Sequence, residues 1–210
     1  MMKINGLTLI NDFITKHEEL ELINKINEND WDNKIKRRVQ HYGYVFEYKT
    51  KKVDIQNHNQ FPKWLDIILE KLKDIDLLKN FIPDQCTINE YYPGIGISPH
   101  IDTHSSFDNT IISISLENNI IMSFRDMIDK NIEKTEILIP NRSLLIMKDD
   151  ARYKFSHGIS YRKTDNINGK LVRRGKRISI TLRKILTRNC NCKWAKLCDS
   201  QEGKLEMTRL

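Results

Sequence analysis

Seven short apolar runs follow Pro83, and their number and spacing limit the folds open to this chain. Turn residues such as Pro93-Gly94 and Pro140-Asn141 separate them. Many short strands at close spacing are typical of an antiparallel sandwich or barrel, so we predict a mainly β fold of that kind. The runs are Cys86–Tyr92, Thr110–Leu116, Ile120–Arg125, Glu136–Ile139, Ser143–Met147, Lys154–Ile159 and Ile178–Ile185.

Two helical segments precede these runs. The segment Thr15-Lys16-His17-Glu18 has the capping-box pattern, and apolar residues follow it at helical spacing, which predicts a helix from Thr15 to Asn27. A second helix is predicted from Pro62 to about Lys73, with one apolar face. The segment Tyr161–Lys176 is polar and basic, and we predict a long mobile loop there.

The length of 210 residues favours one domain with a substantial core. The formal net charge of +7 is compatible with an anionic partner, although lysine-rich surfaces also occur in proteins that bind no polyanion. Met1 to Thr15 has no apolar core of a signal peptide, and no run reaches the length of a membrane span. We therefore expect an intracellular, cytoplasmic protein without a membrane partner; a nuclear location is also compatible.

His100 and Asp102 are the first candidates for a metal site. Side chains at i and i+2 of an extended segment point the same way, so both can reach one shared point. A third ligand must come from elsewhere, and His157 is the best candidate. Two histidines and a carboxylate form the facial triad that binds non-haem Fe(II) with open coordination positions. The alternative, a loop pair capped by hydrogen bonds, is the commoner reading of an isolated His-x-Asp.

The last run alternates between apolar and polar residues. Ile178, Ile180 and Leu182 can face one layer of the core, which leaves Arg177, Ser179, Thr181 and Arg183 on the other face. Two arginines that enter a barrel need anionic partners, which a bound dicarboxylic acid would supply. The same argument puts Asn89 and Tyr91 on one face of their strand as neutral donors. The alternative is an outer strand whose polar face meets water.

Three of the four cysteines lie close together, at Cys190, Cys192 and Cys198. In a reducing compartment this clustering favours a bound metal over disulfides. Cys86 stands alone in an apolar run, where a buried and inert thiol is expected.

The order of these motifs resembles that of the AlkB family of Fe(II)/2-oxoglutarate dioxygenases. The similarity is greatest to one branch, the AlkB domain of the tRNA wobble-uridine hydroxylase/methyltransferase, and extends from about Gly6 to Gln201. The motifs that carry it are Asn89-x-Tyr91, His100-x-Asp102, His157-Gly158-Ile159, Arg177-x5-Arg183, Ser143-Leu144-Leu145, Arg152-Tyr153, the segment from Arg37 to Tyr44 and the terminal Cys-x-Cys-x5-Cys-Asp-Ser-Gln.

The resemblance implies a double-stranded β-helix, or jelly roll, with N-terminal helices packed outside. Residues 1–84 would form these helices and a substrate-recognition lid, 85–189 the catalytic core, and 190–210 a zinc-binding tail, all in one compact domain. Fe(II) would be bound by His100, Asp102 and His157, and zinc by His104, Cys190, Cys192 and Cys198. The cosubstrate 2-oxoglutarate, used with O2, would be bound by Asn89, Tyr91, Arg177, Ser179 and Arg183.

In detail, the resemblance implies that both arginines take the distal carboxylate of 2-oxoglutarate. Ser179 departs from the family, which often has Asn at that position, and this changes one polar contact near the cosubstrate. The candidate residues for binding the substrate are Arg37, Arg38, Tyr42, Tyr44 and Arg152, with backbone phosphates held by the segment from Lys163 to Arg174.

Three functions compete at this point. The first is hydroxylation of a tRNA wobble uridine, with RNA a more favoured partner than DNA. The second is oxidative demethylation of alkylated bases in DNA or RNA. The third is a non-catalytic, zinc-stabilised module that binds nucleic acid. The branch also carries RNA-recognition and methyltransferase domains for which 210 residues leave no room, so we expect any methyltransferase to be a separate partner.

Overall fold

Two antiparallel sheets form the core of the protein, in a computed structural model that describes residues 3–47, 50 and 52–201. Short 3-10 turns lie at Lys63–Leu65, Asp76–Leu78 and Ala195–Leu197. The elements in chain order are β1 (Leu7–Ile10), α1 (Lys16–Asn27), β2 (Val39–Glu47), β3 (Lys52–Asn59), α2 (Asp66–Lys73), β4 (Gln85–Tyr91), β5 (Ile97–His100), β6 (Phe107–Leu116), β7 (Ile120–Asp126), β8 (Thr135–Ile139), β9 (Leu144–Met147), α3 (Asp149–Tyr153), β10 (Phe155–Ile159), β11 (Thr164–Ile167), β12 (Lys170–Arg173) and β13 (Arg177–Ile185).

The larger sheet has the strand order β1-β9-β6-β13-β4-β2-β3, and the smaller one has the order β5-β10-β7-β8. Four strands of the larger sheet, β9, β6, β13 and β4, face the four strands of the smaller one as the halves of a jelly roll. Each of the seven predicted runs coincides with a strand of this core. The predicted mainly β, double-stranded β-helix fold is therefore confirmed.

The two predicted helices pack on the outer face of the larger sheet, as expected. The capping box at α1 is present, since Thr15 Oγ1 accepts a bond from the Glu18 amide at 3.2 Å and Glu18 Oε2 accepts one from the Thr15 amide at 2.7 Å. Burial of each large apolar side chain contributes about 1.5–3 kcal/mol. The apolar cluster under the helices includes Leu22, Ile26, Leu65, Ile68, Leu72, Ile88, Ile180 and Leu182.

The alternation of β13 divides its side chains as predicted. Ile178, Ile180 and Leu182 point towards the helices, whereas the polar residues between them point into the space between the sheets. Arg177 is only 1% exposed, so the alternative of a polar face in water is wrong. β13 lies between β4 and β6, and this central position brings both arginines into the barrel.

The segment predicted as a long mobile loop is instead a two-stranded hairpin, β11–β12. Asn168 and Gly169 form its turn, with positive φ angles of 52° and 81°. Asn-Gly is the dipeptide that favours a two-residue hairpin turn, because both positions accept positive φ. The Asn168-Gly169 dipeptide therefore indicated a hairpin, but the prediction of a loop was based on the polar composition of the segment.

The N-terminal residues up to 84 contribute three strands to the larger sheet as well as the two helices. Parts of the predicted segments, namely residues 1, 2, 48, 49, 51 and 202–210, lie outside the described residues. Among the described residues, no helix combines the length and the apolar character needed to cross a bilayer.

Candidate active site

His100, Asp102 and His157 converge at one end of the barrel. His100 on β5 and His157 on β10 are directly opposite in the antiparallel pair, and their ring centroids are 4.5 Å apart. Nε2 of His157 lies 3.6 Å from Oδ2 of Asp102. One potential ligand atom from each residue lies within 4.8 Å of the others, so the three can hold one metal ion.

A hydrogen bond orients the ring of His100, and burial determines the charge of His157. Nδ1 of His100 lies 2.9 Å from the carbonyl oxygen of Ser98, to which a proton on Nδ1 donates. Burial, together with neighbouring His100, lowers the pKa of His157 to about 3. The ring of His157 can therefore offer a neutral nitrogen at neutral pH.

The carboxylate of Asp102 is held through one oxygen and open at the other. Oδ1 accepts from Nε and Nη2 of Arg183, both at 3.0 Å. Burial opposes the charge, but neighbouring cations, with Arg183 first, outweigh it and hold the pKa of Asp102 far below its usual range. Oδ2 has no hydrogen-bond partner among the described residues, as expected of an oxygen that a cation would bind.

A cavity of about 520 Å³ connects this cluster with the polar face of β13. Its walls include Asn89, Tyr91 and Ser179, three of the residues predicted to bind the cosubstrate. Oγ of Ser179 lies 2.9 Å from Oγ of Ser113. Ser179 on β13 is directly opposite Asn89 on β4. The sequence-predicted diacid residues therefore share one enclosed space with the metal-ligand candidates.

Arg177 is the buried cation of this cavity. Its Nε donates to Ser115 Oγ at 2.8 Å, and its guanidinium carbon lies 5.5 Å from the centre of the Tyr91 ring. Burial lowers its pKa to about 10, which still leaves it protonated at neutral pH. Nη2 has no hydrogen-bond partner in the described part of the chain. A buried cation with an unsatisfied donor is costly, and a carboxylate would satisfy it in a two-pronged geometry.

Arg183 departs from the expectation that both arginines take the same distal carboxylate. Besides contacting Asp102, it donates Nη1 to Gln85 Oε1 at 3.0 Å. Six residues along a strand span about 20 Å, which exceeds the reach of one small carboxylate. Arg177 is therefore placed for the distal end of a diacid, and Arg183 supports the metal-ligand candidate Asp102.

Arg37 and Arg38, both predicted to bind substrate, point in different directions from the chain. Arg37 lines the cavity, and its Nε donates to Asn89 Oδ1 at 2.9 Å. Arg38 forms an ion pair with the buried carboxylate of Glu90, including an Nη2–Oε1 bond of 3.0 Å, and covers the Trp31 ring. Arg38 therefore has a structural partner in Glu90, and substrate binding by Arg38 stays a prediction.

Tyr42 and Tyr44 are also directed elsewhere. The Tyr42 ring packs edge-on against Trp64 of the helical layer, and the Tyr44 ring lies against His58. Because side chains alternate along a strand, the inward position of His41 turns Tyr42 outwards. Neither tyrosine is among the described residues that line the cavity.

Three other aromatic residues, Phe46, Phe107 and Tyr161, line the cavity and were missed. Phe46 lies towards the end of β2, with its ring 5.3 Å from that of Phe107. Tyr161 follows β10, is 55% exposed, and has its hydroxyl 3.5 Å from Ser98 Oγ. The signal for Tyr161 was its place four residues after His157, before two basic residues.

Arg152 does not face a substrate; it holds the loop that carries Asp102. The side chain is buried and donates to four backbone carbonyl oxygens. These belong to Asp102 at 2.7 Å, Thr103 at 3.0 Å, Phe107 at 3.0 Å and Asp108 at 3.2 Å. The prediction that Arg152 binds substrate is therefore corrected to a positioning role.

His104 meets the cysteine tail next to this loop. Ligand atoms of His104, Cys192 and Cys198 lie within 4.8 Å of one another, with Nδ1 of His104 3.4 Å from Sγ of Cys192. Cys190 is buried in the same cluster. Burial, followed by the charge of Arg152, lowers the pKa of His104 to about 4, so its ring is neutral. One imidazole and three thiols are the ligand set of a closed tetrahedral zinc site.

The tail is also hydrogen-bonded to the loop after Asp102. Asp199 accepts from the amide of Ser105 at 3.1 Å and from its hydroxyl. Trp194 stacks on Tyr153, which follows Arg152. The cysteine cluster and the iron-ligand candidates are therefore two ends of one connected substructure.

Comparison with known proteins agrees with this geometry. The model of the 2OG-Fe(II) oxygenase superfamily matches residues 6–183. An Arabidopsis thaliana protein named alkylated DNA repair protein ALKBH8 homolog is 39% identical over 96% of this chain and 64% of its own length. The mouse tRNA (carboxymethyluridine(34)-5-O)-methyltransferase ALKBH8 is 36% identical over 93% of this chain but 33% of its own length. This chain therefore spans only part of these two relatives.

A Caenorhabditis elegans protein named DNA N6-methyl adenine demethylase is 32% identical over 87% of this chain and 60% of its own length. Among solved structures, that of OsALKBH1 superposes with a TM-score of 0.66 at 15% identity, covering 88% of this chain and 98% of that one. At this identity the structural match supports the fold alone.

Proposed function

Because this chain belongs to the 2OG-Fe(II) oxygenase superfamily, as an AlkB-like domain, we propose that it hydroxylates a modified nucleobase, with the side chain of a tRNA wobble uridine as the favoured substrate. The family implies Fe(II), 2-oxoglutarate and O2. One observation carries the proposal: the cavity that the His100, Asp102 and His157 cluster opens into also contains the unsatisfied guanidinium of Arg177.

In this proposal His100, Asp102 and His157 hold the iron, and Arg177 binds the distal carboxylate of 2-oxoglutarate with help from Asn89, Tyr91 and Ser179. When bound, the iron and the cosubstrate provide oxidative chemistry in which one oxygen atom of O2 enters succinate, carbon dioxide is released, and the other atom converts a substrate C–H bond into C–OH.

The protein's own contribution is to orient the groups and exclude water. Arg183 keeps Asp102 ionised and fixes its rotation, and the carbonyl of Ser98 fixes the ring of His100. A target base would enter the cavity flipped out or from a single-stranded loop, next to Phe46 and Tyr161. Arg37 lines the same cavity and would contact an anionic group of the substrate.

We also propose a structural zinc ion held by His104, Cys190, Cys192 and Cys198. The neutral ring of His104 and the closeness of the sulfur atoms support it. The ion would close the tail onto the loop of Asp102 and so stabilise the active site without entering the reaction.

The tRNA substrate is supported by the relationship to the mouse protein, whose name specifies a tRNA carboxymethyluridine methyltransferase. This chain covers a third of that protein. A methyl-ester substrate would be the product of a methyltransferase. The net charge of +7 favours a polyanionic partner.

Oxidative demethylation is the second candidate, and the relationship to the C. elegans protein named as a demethylase favours it. The same hydroxylation at an N-methyl carbon would give an unstable product that releases formaldehyde. The two candidates differ in the carbon attacked and share the whole metal and cosubstrate site.

The test is to incubate the protein with Fe(II), ascorbate, 2-oxoglutarate and either modified tRNA or a methylated oligonucleotide. Gain of one oxygen atom on an anticodon uridine supports the first candidate, and formaldehyde supports the second. His157→Ala is the matched control. Absence of both products, with succinate formation equal to that of the control, would contradict the oxygenase function.

A further inference from the structure

Buried hydrogen bonds hold the hairpin β11–β12 against the body of the protein. Asp165 is buried at its centre and accepts from Nε and Nη2 of Arg174, both at 2.8 Å, and from Nε of Arg162 at 2.8 Å. Nη1 of Arg174 donates to the carbonyl of Ser160 at 2.7 Å. The amide of Gly94 donates to the carbonyl of Arg162 at 3.2 Å. These bonds fix the hairpin to the end of β10 and to the turn after β4.

The pairing register separates an inner from an outer face. Asp165 is opposite Val172, and the buried carboxylate fixes that face inwards. The outer face consists of Thr164, Asn166, Leu171 and Arg173, all of them exposed. Leu171 is 78% exposed.

The cations of the hairpin form a paired group and an exposed group. Arg162 and Arg174 share the carboxylate of Asp165, and Arg162 also lies 4.0 Å from Glu136. Lys163, Lys170 and Arg173 are exposed and have no ion pair with any described residue. Three uncompensated cations on one rigid ribbon therefore project from the protein, beside the exposed Tyr161 at the cavity mouth.

We propose that the exposed surface of this hairpin, with Lys163, Lys170 and Arg173, binds the phosphate backbone of the nucleic-acid substrate and so delivers the target base to the cavity. This inference rests on the proposed function. Charge complementarity selects a polyanion as the occupant, and Tyr161, which lines the cavity, is three residues before the start of the hairpin. Thr164 and Asn166 supply neutral donors, and Leu171 suits contact with a ribose or the edge of a base.

The test compares two triple variants of equal charge change. Lys163→Ala/Lys170→Ala/Arg173→Ala removes the hairpin cations, and Lys16→Ala/Lys63→Ala/Lys73→Ala removes three exposed cations from the helical layer on the far side of the larger sheet. Binding of a fluorescein-labelled RNA stem–loop is measured by anisotropy between about 50 and 200 mM salt, where phosphate contacts are distinguished by their salt dependence.

The hairpin variant should bind at least about tenfold more weakly at low salt, and the slope of log affinity against log salt should become about 2–3 smaller, since each lost phosphate contact removes about 0.9. The helical variant should match the parent protein in affinity and slope. Thermal unfolding of both variants should also match that of the parent, because all six side chains are exposed.

The inference would be overturned if the salt dependence of RNA affinity were unchanged in the hairpin variant, or if the helical variant lost as much RNA affinity as the hairpin variant. The exposed surface of the hairpin would then bind a polypeptide partner or contact solvent only. If the parent protein hydroxylates RNA while the hairpin variant binds RNA normally, only the hairpin proposal fails. If the parent protein binds no RNA, the proposed function fails and the inference fails with it.

Discussion

Nε and Nη2 of Arg183 both lie 3.0 Å from the same oxygen of Asp102. This contact gives the two arginines different proposed roles, because Arg183 holds a metal-ligand candidate and Arg177 is proposed to bind the cosubstrate. It also leaves Oδ2 of Asp102 as the oxygen available to the metal. Replacement of Arg183 should therefore affect metal binding, and replacement of Arg177 should affect cosubstrate binding.

Replacement of Arg183 by Met should weaken metal binding about 10–100-fold, as loss of a partner that orients a ligand usually does. Arg183 lowers the pKa of Asp102, so the carboxylate is ionised throughout the neutral range and would be protonated only in strong acid. In the variant that pKa should rise, and metal binding should be lost at a higher pH as acid is added. Titration with Co(II) at several pH values measures both effects; an unchanged affinity and pH profile would contradict this role.

Replacement of Arg177 by Met should raise the KM for 2-oxoglutarate at least about a hundredfold, because a carboxylate would then be buried without its charged partner. Co(II) affinity in the absence of cosubstrate should stay close to that of the parent. Arg177→Lys should recover only part of the loss, since a point charge lacks the two-pronged geometry. A KM within a few-fold of the parent would remove Arg177 from the cosubstrate site.

Replacement of Arg152 by Met should destabilise the protein by about 3 kcal/mol, because four buried carbonyl oxygens lose a charged donor. It should also weaken Co(II) binding, since Asp102 lies on the released loop. Arg188→Met is the matched control: it removes an exposed partner of Asp108 and should cost less than about 1 kcal/mol. Lower stability with unchanged Co(II) affinity would show that Arg152 has a structural role only.

Replacement of Cys192 by Ser should remove the bound zinc and lower the unfolding temperature, because metal binding at such a site contributes directly to folding. The Cys86→Ala variant should retain its zinc, because Cys86 is buried in the apolar cluster under the helices and not in the cysteine tail. Burial also raises the pKa of the Cys86 thiol above the usual range. Zinc analysis of both purified variants makes the comparison. A full complement of zinc in the Cys192 variant would contradict the site.

Much of this site was predictable because its signals are local. The spacing of His100 and Asp102 and the alternation from Arg177 to Arg183 each fix a direction through backbone geometry alone. What escaped prediction depends on distant partners. The hydrogen bonds from Arg152 to the loop form only when the loop after Asp102 packs against α3. No local sequence pattern predicts that contact.

Other differences between prediction and structure could have been avoided by applying strand geometry and turn preferences. The length of a strand already separates Arg177 from Arg183, and alternation already turns Tyr42 away from the side of His41. The Asn168-Gly169 dipeptide indicated the hairpin that composition alone assigned to a loop.

The most direct test of the central claim is an anomalous difference map at the iron absorption edge, from crystals grown without oxygen in Fe(II) and 2-oxoglutarate. The account predicts one iron peak bonded to His100, Asp102 and His157, with density for the diacid extending from it to the guanidinium of Arg177. Iron bound elsewhere, or a diacid that does not contact Arg177, would contradict it.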